Sequence, residues 1–150
     1  MSMIRQRVTQ SGADTFTAVA LALPALDGKS GYQFNGMEVY STNGNTIAAV
    51  DFVLNAELQV QPTVALFTDD ELIARIGWGV QNTAGVAVAL PFETRKEMEL
   101  FEPRVTVQPL IYVGISSSGT AIANVIDFRV YYEVIKMTEL DYLRLLAGGG

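Results

Sequence analysis

From Ile122 to Met137 apolar and polar positions alternate: Ile122, Ile126, Phe128, Val130, Tyr132 and Val134 take one side, and Val125, Asp127, Arg129, Tyr131, Glu133 and Ile135 the other. A period of two is a strand signature, and a strand of this length, about 50 Å, crosses a large sheet or bends at a bulge. A second long alternation runs from Ala48 to Val60, with Ala48, Val50, Phe52, Leu54, Ala56, Leu58 and Val60 on one face. Two long amphipathic strands predict two sheets closing on a shared core.

Between and around these, shorter segments repeat the pattern. Met1 to Gln10 shows no clear period and reads as part of an arm over residues 1–13. Within Asp14 to Leu23, Val19, Leu21 and Leu23 share a face, while Ala18, Ala20 and Ala22 form a flat face opposite, suited to cover from both sides. Gly12 and Asp14 interrupt this stretch, so Phe16 to Leu26 reads as a strand and not as a signal peptide. Tyr32 to Ser41 changes phase at Gly36, which predicts a bulge, and Asn43-Gly44 predicts a hairpin into the long strand that follows. Val64 to Phe67 is a short apolar piece, and Thr68 to Glu71 reads as a loop or one capped helical turn. Leu72, Ala74, Ile76, Trp78 and Val80 line one face of the next strand, Asn82 to Gly85 turns the chain, and Val86 to Leu90 extends again up to Pro91. Arg95 to Phe101 and Arg104 to Ile115 follow as separate strands, the second interrupted by Pro109, and Ser116 to Gly119 reads as a loop. Thr138, three residues before Asp141, caps a short helix carrying Leu140, Leu143 and Leu146.

Short strands at close spacing, with helix only at the end, indicate an all-β fold: a two-sheet antiparallel sandwich at 14–137 and a helical tail at 138–150. The late-returning last strand favours jelly-roll topology over the immunoglobulin type, whose paired cysteines are missing. A chain of 150 residues fits this single domain.

Composition narrows the chemistry. The chain has neither cysteine nor histidine, which excludes Ser-His-Asp and Cys-His catalysis, Cys/His zinc sites and a histidine switch. Its net charge of −6 repels phosphate, and only Arg5 and Arg7 offer a weak basic arm. Apolar residues reach 49% and charged residues only 17%, so some apolar surface is expected to meet other chains. No apolar run approaches the roughly 18 residues of a membrane-spanning helix.

Each candidate site has a plainer structural reading. Glu97 and Glu99 point the same way on a strand, as a carboxylate pair or calcium site needs, but a solvated outer face explains them as well. Asp69, Asp70 and Glu71 lack the alternating ligands and glycine of a calcium loop, and the Ser116 to Ser118 hydroxyls have no base. Trp78 with Tyr32, Tyr40 and Tyr112 could offer a stacking platform for sugars, yet Trp78 shares its phase with Leu72, Ile76 and Val80, as a core residue would. Asp127, Arg129, Tyr131 and Glu133 form an outward stripe that suits either an interface or a cross-strand ion ladder. No catalytic, cofactor-binding or metal site is assigned.

The first strand TFTAVALAL, the segment PRVTVQPLIYVGI with its ISSSGTA continuation, and the long IDFRVYYEVI strand with its tail resemble the single jelly-roll capsid proteins of small icosahedral viruses and phages. The resemblance is one of architecture and covers most of the chain. It implies a virion shell subunit that associates with itself and with other virion proteins, without enzymatic activity or cofactor. Many such proteins carry a strongly basic arm, and this chain does not, so weak or no direct nucleic-acid binding is expected. The interface expected from this reading comprises Ala18, Ala20, Ala22, the Asp127, Arg129, Tyr131 and Glu133 stripe, and Leu140, Leu143 and Leu146. The alternative is a carbohydrate-binding or adhesin-like sandwich built around Trp78 and the tyrosines.

Overall fold

A computed structural model describes residues 1–41, 45–48, 52–63, 72–80, 88–91, 95–119 and 123–147. Its elements are β1 (Ser2–Thr9), β2 (Thr17–Ala20), β3 (Ser30–Ser41), β4 (Asn45–Ala48), β5 (Phe52–Gln59), β6 (Leu72–Val80), β7 (Val88–Pro91), β8 (Arg95–Thr106), β9 (Tyr112–Ser118), β10 (Val125–Lys136) and α1 (Glu139–Ala147). Sheet A has the order β1-β10-β3-β8, sheet B the order β2-β9-β5-β6, and β4 pairs with β7. The two four-stranded antiparallel sheets form the expected sandwich, with the helix at the C-terminal end.

The pairing is nested. β1 pairs with β10, β2 with β9, β3 with β8, β4 with β7, and β5 with β6, all antiparallel. The chain is thus one long hairpin, and the β10–β3 and β5–β9 ladders roll it into two sheets.

Alternation decides which side chains face inward. Along β10, Ile126, Phe128, Val130 and Tyr132 are buried, and they meet Tyr32, Phe34, Met37 and Val39 of β3. Leu54, Ala56 and Leu58 of β5, Ala74, Ile76 and Trp78 of β6, and Val113 and Ile115 of β9 supply the other half of the core. Each large apolar side chain buried here contributes about 1.5–3 kcal/mol. Tyr32 and Tyr132 meet edge to face at 6.4 Å between ring centres, and the Tyr32 hydroxyl donates to the Pro24 carbonyl, so its polar end is satisfied inside.

Four expectations need correction. Ser2–Thr9, part of the expected arm, is an edge strand paired with β10 from Ser2↔Tyr132 to Thr9↔Val125. Its inward set holds only two apolar residues, Ile4 and Val8, with Gln6 between them, too sparse a pattern to read as a strand. The long alternation from Ala48 to Val60 is not one strand: Asn45–Ala48 joins β7, while Phe52–Gln59 lies in sheet B. β8 runs through the expected gap at Pro103, and the real break falls after Thr106, around Pro109. Ser116 to Ser118 end β9, and the chain turns only at Gly119, whose φ is 75°. The Asn43-Gly44 turn, Val64 to Phe67, Thr68 to Glu71, Asn82 to Gly85 and Ile122 lie outside the described residues.

The bulge expected near Gly36 is present one residue earlier. Asn35 is skipped in both ladders, since β3 shifts register between Phe34 and Gly36 against β8 and between the matching partners Tyr132 and Tyr131 of β10. Opposite it, β8 jumps from Glu99 to Arg104, so Leu100 to Pro103 leave the ladder and Phe101 stands fully exposed. Gly36 allows this close approach, because a Cβ there would lie 2.6 Å from the Met98 carbonyl oxygen. Gly36→Ala is expected to destabilise the fold by about 1–3 kcal/mol, read as a lower urea midpoint at unchanged slope. An unchanged midpoint would show that the bulge has room to open.

Candidate subunit interface

The outer face of sheet A is built by the residues that alternate with the core. On β10 these are Asp127, Arg129, Tyr131 and Glu133, all half-buried. Their neighbours across the ladders are Arg7 on β1 and Glu38 and Gln33 on β3. Arg7 grips Asp127 with two bonds, Nε to Oδ1 at 2.7 Å and Nη2 to Oδ2 at 3.0 Å, and this contact lowers the Asp127 pKa. Gln33 Nε2 donates to Glu133 at 3.3 Å.

Glu38 is the hub of this face. Its side chain is only 7% exposed and accepts bonds from Arg95 Nε at 3.0 Å, from the Tyr40 hydroxyl, from Arg129 Nη1 at 3.5 Å and from the Tyr131 hydroxyl at 3.4 Å. Arg129 also lies over the Tyr40 ring, 4.9 Å from its centre. The Arg95 bond above all, then the Tyr40 bond, hold the Glu38 carboxyl at about 2, down from 4.5, against the burial that would raise it. Sequence reasoning missed Glu38 because the phase change at Gly36 hides which side of β3 it faces. The signal was the only charged residue of β3, a carboxylate two residues from Tyr40.

Sheet B carries a different outer face. Glu57 and Arg75 face each other across β5 and β6 at 2.9 Å, and Ser116 donates to Glu57 at 3.3 Å. Glu57 is 1% exposed, and burial pushes its pKa up even though Arg75 and Ser116 oppose this. The Phe16 ring lies above Gly114, the residue opposite Glu57 on β9, and a Cβ at Gly114 would come within 2.9 Å of it. Beside it run the alanines: Ala18 is half-buried, Ala20 is exposed at the end of β2, and Ala22 is exposed beyond the strand.

The expected interface residues therefore fall in separate places. Ala18 and Ala20 lie on β2, an edge of sheet B, with Ala22 just beyond it; the charged stripe lies on sheet A, satisfied within its own chain; and the leucines lie on α1. Thr138 caps α1, accepting from the Asp141 amide at 3.2 Å and donating to the Asp141 carboxylate at 2.8 Å, as expected. No residue of α1 is buried: Leu140, Leu143 and Leu146 are 58%, 51% and 51% exposed.

The aromatic residues do not gather into a platform. Trp78 is 4% exposed, with Lys96 Nζ 5.6 Å from its ring centre and also donating to the Gly77 carbonyl at 3.0 Å. Tyr32 is buried, Tyr40 belongs to the outer face of sheet A, and Tyr112 pairs with Ala20 and Gln59 in sheet B. Glu97 binds Arg95 at 2.9 Å on the exposed face, and Glu99 is also exposed. Asp69, Asp70 and Glu71 lie outside the described residues, among which no three acidic side chains converge as metal ligands. No helix among the described residues is long and apolar enough to cross a membrane. Compared with known proteins, the chain matches no family model and no curated sequence.

Glu38 yields a pH dependence of stability. Its carboxylate is favoured by the fold, so its contribution is complete above about pH 4.5 and is lost as pH falls through about 2. With half-exposed Arg95 screened by solvent, that contribution is about 2 kcal/mol. Glu38→Gln is expected to flatten this part of the acid-denaturation profile, measured by urea melts between pH 5 and pH 2. A variant whose stability falls with acid as steeply as the parent's would place the acid sensitivity elsewhere.

Proposed function

We propose that this chain is a virion structural protein, a capsid shell subunit of single jelly-roll type that works by associating with copies of itself and has no catalytic activity. The observation that carries this reading is α1. A helix of nine residues is too short to persist alone in water, and no residue of α1 is buried in its own sandwich, Tyr142 and Leu145 being only half-covered. Its stripe of Leu140, Leu143 and Leu146 gains burial only against another molecule, at about 1.5–3 kcal/mol for each leucine fully covered. A second copy, or another virion protein in the same shell, supplies that surface.

The nested pairing supports the jelly-roll part of the reading. With β4 and β7 set aside as a small extra pair, the remaining eight strands form two four-stranded sheets, each holding two of the pairs of the rolled hairpin. Direct genome binding is weak in this reading. The chain carries a net charge of −6, and of its two early arginines Arg7 is already engaged by Asp127. The alternative of a carbohydrate-binding module loses its central residue, since Trp78 lies in the core.

Deletion of residues 138–150 tests the reading. The truncated chain is expected to keep its β-type circular dichroism and a cooperative melt within a few degrees of the parent's, because α1 contributes no buried residue to the core. Sedimentation velocity is expected to show that it no longer forms the parent's assemblies. A molten or insoluble truncated chain would mean that α1 seals its own core, and assemblies unchanged by the deletion would take α1 out of the contact.

A further inference from the structure

Sheet A has two edges, β1 and β8, and among the described residues neither has a strand paired on its outer side. Unpaired edges template the addition of another strand unless charge or shape forbids it. We propose that these two edges join copies head to tail, β1 of one copy adding antiparallel to β8 of the next, with Arg5 opposite Glu99 and Arg7 opposite Glu97. This contact rests on the self-association proposed above and specifies one surface through which it happens.

The strand directions allow it without inversion. Successive strands of sheet A are antiparallel, and with four of them the two edges run in opposite directions. A copy placed so that the sheet simply continues therefore meets β8 antiparallel with its own β1, and the outer faces stay on one side. Arg5 and Arg7 lie on the same outer face as Glu97 and Glu99: Arg7 is opposite Asp127 on β10, and Glu97 is opposite Glu38 on β3.

The charges complement one another. Arg5 faces Arg129 directly across the β1–β10 ladder, a like-charge pairing that costs stability where nothing offsets it. Among the described residues Arg5 has no carboxylate partner and Glu99 has no cationic partner. One antiparallel register satisfies both and brings Arg7 to Glu97 at the same time.

The apolar residues agree with that register. On the inner face it sets Ile4 beside Leu100, both only partly buried at the rim of the core. On the outer face it brings Met3, 41% exposed, towards Phe101, the most exposed large apolar side chain among the described residues. Pro103 then ends the usable edge, since it has no amide hydrogen to donate. A head-to-tail contact of this kind makes rings when the rotation between copies closes and open filaments when it does not.

Charge reversal and rescue in the full chain test the contact. Arg5→Glu and Glu99→Arg are each expected to weaken self-association at least about tenfold at low salt, while both together restore it to within about threefold of the parent. Circular dichroism and a cooperative melt accompany each variant. Because the chain has no cysteine, a mixture of copies carrying Arg5→Cys with copies carrying Glu99→Cys is expected to give a disulfide-linked dimer on oxidation, in excess of either variant alone. If a charge variant fails to melt cooperatively, the mixed disulfide decides. Single reversals that associate like the parent, a double reversal without recovery, or no excess of mixed disulfide would overturn the edge contact while leaving self-association standing. A parent chain that stays monomeric throughout would overturn self-association, and this contact with it.

Discussion

Everything in this fold depends on the insertion of β10 between β1 and β3. The last strand hydrogen-bonds along both of its sides, to the first strand from Ser2 to Thr9 and to the third from Ser30 to Ser41. Sheet A exists only once the two ends of the chain have met, which is a costly closure and makes non-local pairing dominate the folding of this molecule. The alternation of Ile126, Phe128, Val130 and Tyr132 offsets that cost, because each apolar residue that β10 brings to sheet A also faces the core from sheet B. Inside this closure the β2–β9, β3–β8, β4–β7 and β5–β6 pairs nest in turn, and each inner pair shortens the loop that the next one outside it must close.

The two outer faces have different fates because their polar residues meet different surroundings. On sheet A, Glu38 gathers Arg95, Tyr40, Arg129 and Tyr131, so the ladder on β10 is satisfied within one chain. The stripe at Asp127 to Glu133 thus looks inward to its own sheet before any neighbour arrives, and only Arg5, at its margin, is left facing another cation. On sheet B, Glu57 is sealed from water and Arg75 nearly so, and the cost of burying the carboxylate offsets much of what their attraction contributes. Among the described residues most of the large apolar side chains left exposed are at the periphery, in α1, at Phe101 and Leu110 and at the start of β1, with Val53 and Val134 on the sheets themselves.

Legibility from sequence followed the strength of the period. β10, β6 and α1 with its Thr138 cap were legible, since alternation or heptad-like spacing ran unbroken through Phe128 to Tyr132, Ala74 to Trp78 and Leu140 to Leu146. β1 was not, because Gln6 stands between Ile4 and Val8 and the strand owes its existence to a partner distant in sequence. The split of the Ala48 to Val60 alternation was hidden for the opposite reason: an apolar face can pass from one sheet to another without losing phase. The alanines, the charged stripe and the leucines were each placed as surface features. That the alanines and the stripe fall on different sheets, and the role of Glu38 beside the stripe, depended on pairing that local pattern does not encode.

The central claim is that this sandwich functions by associating with copies of itself. Electron microscopy of the purified full chain, over rising concentration and at low and moderate salt, tests it most directly. Closed particles of uniform size, or rings and filaments that share one repeating contact, are the expected result. A dispersed population of single sandwiches at every concentration and salt would contradict it.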